Sequence, residues 1–134
     1  MNGTTVMVRE VFYAVQGEGG NAGRAAVFIR LAGCNLDCAF CDTDWQLGDP
    51  LTIPELLAIA ERARNGAPPS LVVLTGGEPT AAPAFNALVD ALQRAGYEPV
   101  QVETNGTIWR ETLAHCYVTI SPKERWQGTR AAVD

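Results

Sequence analysis

Two hydrophobic periods alternate along this chain. Apolar and polar side chains alternate at period two through residues 6–15, the spacing of a strand with one covered face. The glycine-rich run Gln16-Gly17-Glu18-Gly19-Gly20-Asn21-Ala22-Gly23 predicts a turn that returns the chain into a β-rich stretch at residues 25–31. From Ile53 the period becomes 3.6, and Leu56, Leu57, Ile59, Ala60 and Ala63 share one helical face. Thr52 is its predicted N-cap, Pro54 suits the first turn, Glu55 completes a capping box, and Asn65-Gly66 marks the stop. Leu71-Val72-Val73-Leu74 is continuously apolar, as in a parallel strand covered on both faces. A second helix is predicted over about residues 83–94, with Phe85, Leu88, Val89 and Leu92 inward and Gly96 as its stop. Residues 100–103 and 117–120 predict two more strands. Strand, helix, strand, helix, strand with short connections implies an α/β fold with right-handed crossovers and a parallel sheet. The expectation is a single domain over residues 1–134, with the polar segment 124–134 as a flexible tail.

Composition narrows the function classes. A chain of 134 residues with 47% hydrophobic content has the make-up of an ordinary globule and buries roughly two-thirds of its unfolded surface. No apolar stretch has the length of a membrane span. A net charge of −5 and a pI near 4.8 argue against a nucleic-acid partner, which usually demands a basic face. With no signal-peptide pattern and only four cysteines, a disulfide framework is a weak reading; reduced thiols imply a cytoplasmic location.

The concentrated chemistry is Cys34, Cys38 and Cys41, spaced C-x3-C-x2-C. A closed structural zinc site or an electron-transfer [4Fe–4S] cluster needs four protein ligands. Three thiolates leave one iron of a cluster with an open coordination position, where chemistry can occur. The competing reading is a zinc site completed by the distant Cys116 or His115. Cys116, however, lies in the apolar run Cys116-Tyr117-Val118-Thr119-Ile120 and reads better as a small core residue, with His115 structural. The cysteine spacing resembles that of the radical S-adenosylmethionine (radical SAM) enzymes, and the resemblance implies that SAM chelates the fourth iron.

The predicted strands end in polar or flexible loops: the cysteine segment, Thr75-Gly76-Gly77-Glu78-Pro79, Glu103-Thr104-Asn105-Gly106-Thr107 and Ser121-Pro122-Lys123. In parallel α/β sheets ligands bind beyond the carboxyl ends of the strands, so these loops predict one rim. Singly each is an ordinary turn; their joint placement is the signal. Gly76 and Gly77 remove side chains where a ligand approaches main chain, and GGEP resembles the radical SAM motif for the SAM amino group. Glu103 suits ribose hydroxyls. Ser121, Pro122 and Lys123 suit the SAM carboxylate or ribose, although Lys123 alone reads as a solvated surface lysine. Phe40, just before Cys41, with Asp42 after it, completes the expected SAM contacts near the adenine.

A narrower resemblance rests on YAVQGEGGNAGRAAVFIRLAGCNLDCAFCDT, TGGEP, ETNGT and SPK. Together these are similar to the 7-carboxy-7-deazaguanine synthases, radical SAM lyases of queuosine and 7-deazapurine biosynthesis. The resemblance implies ring contraction of 6-carboxy-5,6,7,8-tetrahydropterin with loss of ammonia. It also implies Mg²⁺, a flavodoxin-like reductant and a homodimer, with no catalytic side chain beyond the cluster and SAM. The fold implied is a parallel-stranded partial (β/α) barrel lacking the C-terminal strands of longer relatives. Val15, Gln16 and Gly17 suit the guanine-like edge of a pterin, Arg30 its carboxylate as a bidentate fork, and Thr75 a further substrate contact. Glu18 helps frame the pocket, and Thr43 supplies the hard oxygen that Mg²⁺ prefers. A glycyl-radical activating enzyme, or a non-catalytic zinc-binding module, remains the alternative.

Overall fold

The computed structural model describes residues 5–17, 19–33 and 48–121. Within them six strands form one sheet: β1 Thr5–Val15, β2 Ala25–Leu31, β3 Asp49–Thr52, β4 Leu71–Gly76, β5 Val100–Thr104 and β6 Tyr117–Ile120, in the order β3-β1-β2-β4-β5-β6. Two helices cross between strands, α1 Ile53–Arg64 and α2 Phe85–Arg94. As expected, β2, β4, β5 and β6 run parallel. β1 pairs antiparallel with both β2 and β3, so the sheet is mixed at one edge. The strand β3 had no signal in the hydrophobic pattern.

Local chemistry explains α1. Thr52 Oγ1 accepts from the Glu55 amide at 3.2 Å, and Glu55 Oε1 accepts from the Thr52 amide at 2.8 Å, which is the expected capping box. Asn65 ends the helix in the left-handed region at φ 50°, a conformation its short amide side chain tolerates. Leu56 and Ala60 are buried, while Leu57, Ile59 and Ala63 flank them at intermediate exposure. α2 begins at Phe85, slightly inside the predicted range, and buries Phe85, Leu88, Val89 and Leu92, the residues the period assigned inward.

The pleat divides the sheet into two faces. Val27, Ile29 and Leu31 of β2, Val72 and Leu74 of β4, and Val100 and Val102 of β5 join the helical residues in the main core. The alternate residues Ala26 and Phe28 pack with Leu71 and Val73 on the opposite, inner face. Arg30, Thr75, Gln101 and Glu103 follow by alternation on that face. β1 contributes through an irregularity: Val8 lies opposite Leu31, yet Glu10 lies opposite Arg30. A bulge there turns Glu10 to the inner face, where an unbroken alternation would have kept it with Val8. The core thus fixes which residues the inner face presents.

Candidate active site

The carboxyl ends of β4, β5 and β6 converge on a cavity of about 100 Å³, lined by Thr75, Gly76, Gly77, Glu78, Glu103, Thr104, Asn105 and Ser121. The sequence-predicted residues Thr75, Gly76, Gly77, Glu103 and Ser121 are therefore brought together. The Ser121 amide donates to the Thr104 carbonyl at 2.8 Å, tying the end of β6 to β5. Cys34, Cys38, Cys41, Phe40, Asp42, Thr43, Glu18, Pro122 and Lys123 lie outside the described residues, as does the predicted tail at 124–134.

The glycine pair owes its identity to a contact between chain segments. A Cβ at Gly76 would collide with the Leu31 main chain, and one at Gly77 with the Gly33 main chain. Gly76 also sits at φ +132°, where L side chains are strained. The Gly77 amide donates to the Leu31 carbonyl at 3.0 Å and the Glu78 amide to the Gly33 carbonyl at 2.7 Å. That space receives the end of β2, immediately before the cysteine segment. With the Gly77 amide engaged, that N–H is not open to a ligand, and an amine is the kind of group that the carbonyls of the pair would bind.

Glu78, which sequence reasoning left without a role, organises the rim. It is 2% exposed. Its Oε2 accepts from the Thr80 amide at 3.1 Å and from the Thr80 and Thr104 hydroxyls at 2.5 Å each, and its Oε1 accepts from the Asn105 amide at 2.7 Å. Four donors thus satisfy a buried carboxylate, and they join the loop after β4 to the end of β5. The available signal was an acidic residue set between Gly-Gly and Pro at a strand end. Its partners Thr104 and Asn105, 26 and 27 residues away, were invisible.

The predicted substrate residues fall into two groups. Gln16 reaches the rim: its Nε2 donates to Glu103 Oε2 at 3.2 Å across 87 residues of sequence. Its main chain closes the turn, the amide donating to the Arg24 carbonyl at 2.8 Å and the carbonyl accepting from the Gly23 amide at 2.7 Å. Val15 pairs with Ala25 in the antiparallel ladder with its side chain exposed, and Gly17 is exposed beyond it. Arg30 lies opposite Thr75 on the neighbouring strand. Its Nε meets Glu10 Oε1 at 3.0 Å, and its guanidinium stands 5.9 Å from the Phe12 ring centroid, with Phe12 stacked on Phe28 at 5.0 Å. The Arg30 guanidinium therefore has an acidic partner at Nε, partly exposed, beside which an incoming carboxylate would have to sit.

Cys116 and His115 sit at the opposite end of β6 from this rim. Cys116 Sγ donates to the Thr112 carbonyl at 3.2 Å and packs against the core. Burial, and secondarily the negative charge of Asp90, push its thiol up from 9.0 to about 11. It is therefore a neutral thiol at pH 7, unlike a metal-ligating thiolate. In a chain with Cys34, Cys38 and Cys41 replaced by alanine, the absorbance of the Cys116 thiolate should rise with a midpoint near 11. In denaturant the midpoint should return to about 9. Because the folded-state value is the higher one, the neutral thiol's contribution to stability is complete below pH 9. It disappears as pH rises towards 11.

The rim's chemistry fits part of a SAM molecule. The lining offers a carboxylate in Glu103, hydroxyls on Thr75 and Ser121, and glycine carbonyls, which suit ribose hydroxyls and an amine. Ligand sites are typically about 300–1,000 Å³, so 100 Å³ among the described residues accommodates a fragment of such a ligand. Among the described residues the lining contains no basic side chain for a carboxylate; Lys123 is the sequence's candidate.

Comparison with known proteins matches this geometry to a class. The family model described as the Radical SAM superfamily matches residues 28–116. A 7-carboxy-7-deazaguanine synthase from Rhodospirillum rubrum is 49% identical over 113 residues, covering 82% of this chain and 46% of that protein. One from Nitratidesulfovibrio vulgaris is 41% identical over 151 residues, covering 96% of this chain and 67% of that protein. The crystal structure of QueE from Escherichia coli superposes with a TM-score of 0.72 at 32% identity, covering 89% of this chain and 60% of that one. The chain belongs to the radical SAM superfamily and, within it, to the 7-carboxy-7-deazaguanine synthase family. It spans about half the length of the first curated relatives it matches. Among the described residues no helix is long and apolar enough to cross a membrane.

Proposed function

We propose that this chain carries out the reaction its relatives are named for. It converts 6-carboxy-5,6,7,8-tetrahydropterin to 7-carboxy-7-deazaguanine with loss of ammonia, as a radical SAM lyase of queuosine biosynthesis. One observation carries the reading: the turn after β1 delivers Gln16 to Glu103 at the rim where β4, β5 and β6 end and where TGGEP, ETNGT and Ser121 stand. That contact joins the element expected to hold the pterin to the element expected to hold SAM. When bound, the cluster and SAM supply the radical that opens the reaction.

The chain's own residues bind and orient. Cys34, Cys38 and Cys41 hold the cluster as three thiolates. The carbonyls of Gly76 and Gly77 accept from the SAM amine, and Glu103 accepts from ribose hydroxyls while keeping Gln16 in place. Phe40, Asp42, Ser121, Pro122 and Lys123 complete the SAM contacts. Gln16, flanked by Val15 and Gly17, reads the donor and acceptor edge of the pterin, Thr75 adds a hydroxyl beside it, and Arg30 meets the pterin carboxylate as a bidentate fork. Thr43 offers one hard oxygen to Mg²⁺. A flavodoxin-like reductant, a cytoplasmic location and a homodimer belong to the same reading.

The test is anaerobic reconstitution with iron and sulfide, followed by assay with the pterin, SAM, Mg²⁺ and a reductant. The expected product is 7-carboxy-7-deazaguanine, with ammonia released. SAM cleavage that leaves the pterin intact at every concentration would overturn the reading in favour of another radical SAM activity. A protein that takes up zinc and no iron would point to the zinc module. Thr43→Ala should weaken stimulation by Mg²⁺ about tenfold or more while reductive SAM cleavage persists, measured as product rate against Mg²⁺ concentration. An unchanged magnesium response would remove Thr43 from the site.

A further inference from the structure

We propose that Asn21, Gln101 and Thr119 form a positioning relay that sets Gln16 at the rim and so governs ligand affinity without contact with the ligand. The ligand's identity, a pterin, rests on the proposed function; the relay rests on the fold.

Gln101 lies in the middle of β5 on the inner face and is 0% exposed. Its register neighbours are Val73 on β4 and Tyr117 on β6, so an amide here stands in a row of large apolar and aromatic side chains. Burying an amide there is unfavourable unless both ends are hydrogen-bonded. Both are: Oε1 accepts from Asn21 Nδ2 at 3.1 Å, and Nε2 donates to Thr119 Oγ1 at 3.2 Å. Asn21, 7% exposed, accepts in turn from Arg24 Nη1 at 3.2 Å. A leucine at 101 would fill a similar volume without that desolvation, so the amide contributes direction rather than burial.

What it directs is the turn at residues 16–24. This excursion folds over the inner face; Arg24 Nη2 donates to Ser70 Oγ ahead of β4 at 3.0 Å, and three contacts tie the turn to β5 and β6. Asn21 meets Gln101, the Gly20 amide donates to the Tyr117 hydroxyl at 2.9 Å, and Gln16 meets Glu103. Gly20 is glycine because a Cβ would strike the Tyr117 hydroxyl. The ties to Gln101 and Tyr117 fix the turn's height above β5 and β6, and the height decides whether the Gln16 amide meets the Glu103 carboxylate. Release of the relay leaves the turn held at Gly20 and Arg24, loosens its closing bonds at the Gln16 and Gly23 amides, and frees Gln16 from its register over Glu103.

The experiment compares Asn21→Leu with Asn21→Asp in the reconstituted protein. The aspartate variant keeps the relay: the Gln101 amide can turn to donate to the new carboxylate, and the Thr119 hydroxyl can donate to the Gln101 oxygen. Expected for Asn21→Leu is a pterin dissociation constant raised about tenfold, with SAM affinity changed less than about twofold. Amide hydrogen exchange at Gln16 and Gly23 should accelerate while exchange in β4 and β5 holds. Asn21→Asp should restore both readouts. Pterin and SAM affinities that fall together with thermal stability would show a purely structural residue and overturn the proposal. Unchanged exchange at Gln16 and Gly23 would overturn it equally. If the unsubstituted protein binds SAM but no pterin, the functional reading fails, and the exchange comparison still decides the relay.

Discussion

Replacing any one of Cys34, Cys38 or Cys41 by alanine is expected to abolish the iron–sulfur chromophore and all reductive SAM cleavage, whereas Cys116→Ala should leave both intact. Two protein thiolates in place of three leave a second iron without a ligand, and cluster affinity depends on the full ligand set. Cys116 is different in kind. It lies at the far end of β6, half-buried against the core, as a neutral thiol with a pKa near 11. Iron content and visible absorbance after anaerobic reconstitution provide the measurement. Loss of iron in Cys116→Ala equal to that in Cys34→Ala would show that Cys116 is a fourth ligand, and the reading of an open iron would fall.

The largest stability effect is expected at Glu78. Glu78→Ala removes the acceptor for the Thr80 and Asn105 amides and for the Thr80 and Thr104 hydroxyls, all four in buried residues. Each unsatisfied buried donor costs about 1–3 kcal/mol, and hydroxyls can turn to other acceptors, so a net loss of about 3–4 kcal/mol is reasonable. For a chain of this size that lowers the thermal midpoint by roughly 10–15 °C. Thr104→Val should cost less, about 1–2 kcal/mol, since the carboxylate keeps three donors and only the Gly106 amide also loses an acceptor. Denaturation of the apo chain by heat and by urea gives both values. If Glu78→Ala melted within a degree or two of the unsubstituted chain, the carboxylate would not be what joins β4 to β5. SAM affinity should fall alongside stability, because Gly76, Gly77, Glu103 and Asn105 take their positions from the same clamp.

Legibility followed the range of the interactions. The capping box of α1 was readable because Thr52 and Glu55 are three residues apart and meet whenever a helix forms. The inward residues of α2 were readable because a helical face is a property of spacing alone. β3 was not readable: Asp49-Pro50 resembles a turn, and the strand exists only because Thr5 to Val8 lie alongside to pair with it. The inner-face position of Glu10 depends on a bulge that the period does not show. Gly76 and Gly77 were recognised as special for an incomplete reason. Their requirement is the main chain of Leu31 and Gly33, more than forty residues earlier.

By itself the sequence determined the three-thiolate spacing, the order of the two helices and of the strands other than β3, and the loops that fall at the strand ends. These depend on covalent neighbours and on the two periods of the backbone. Tertiary structure alone decided that the turn carrying Gln16 crosses the sheet to Glu103, that Asn21 and Gln101 hold it there, and that Glu78 clamps the rim. Those contacts join residues 26 to 87 positions apart. Buried polar groups accept only partners brought within hydrogen-bond distance, and it is the packed sheet that brings them there.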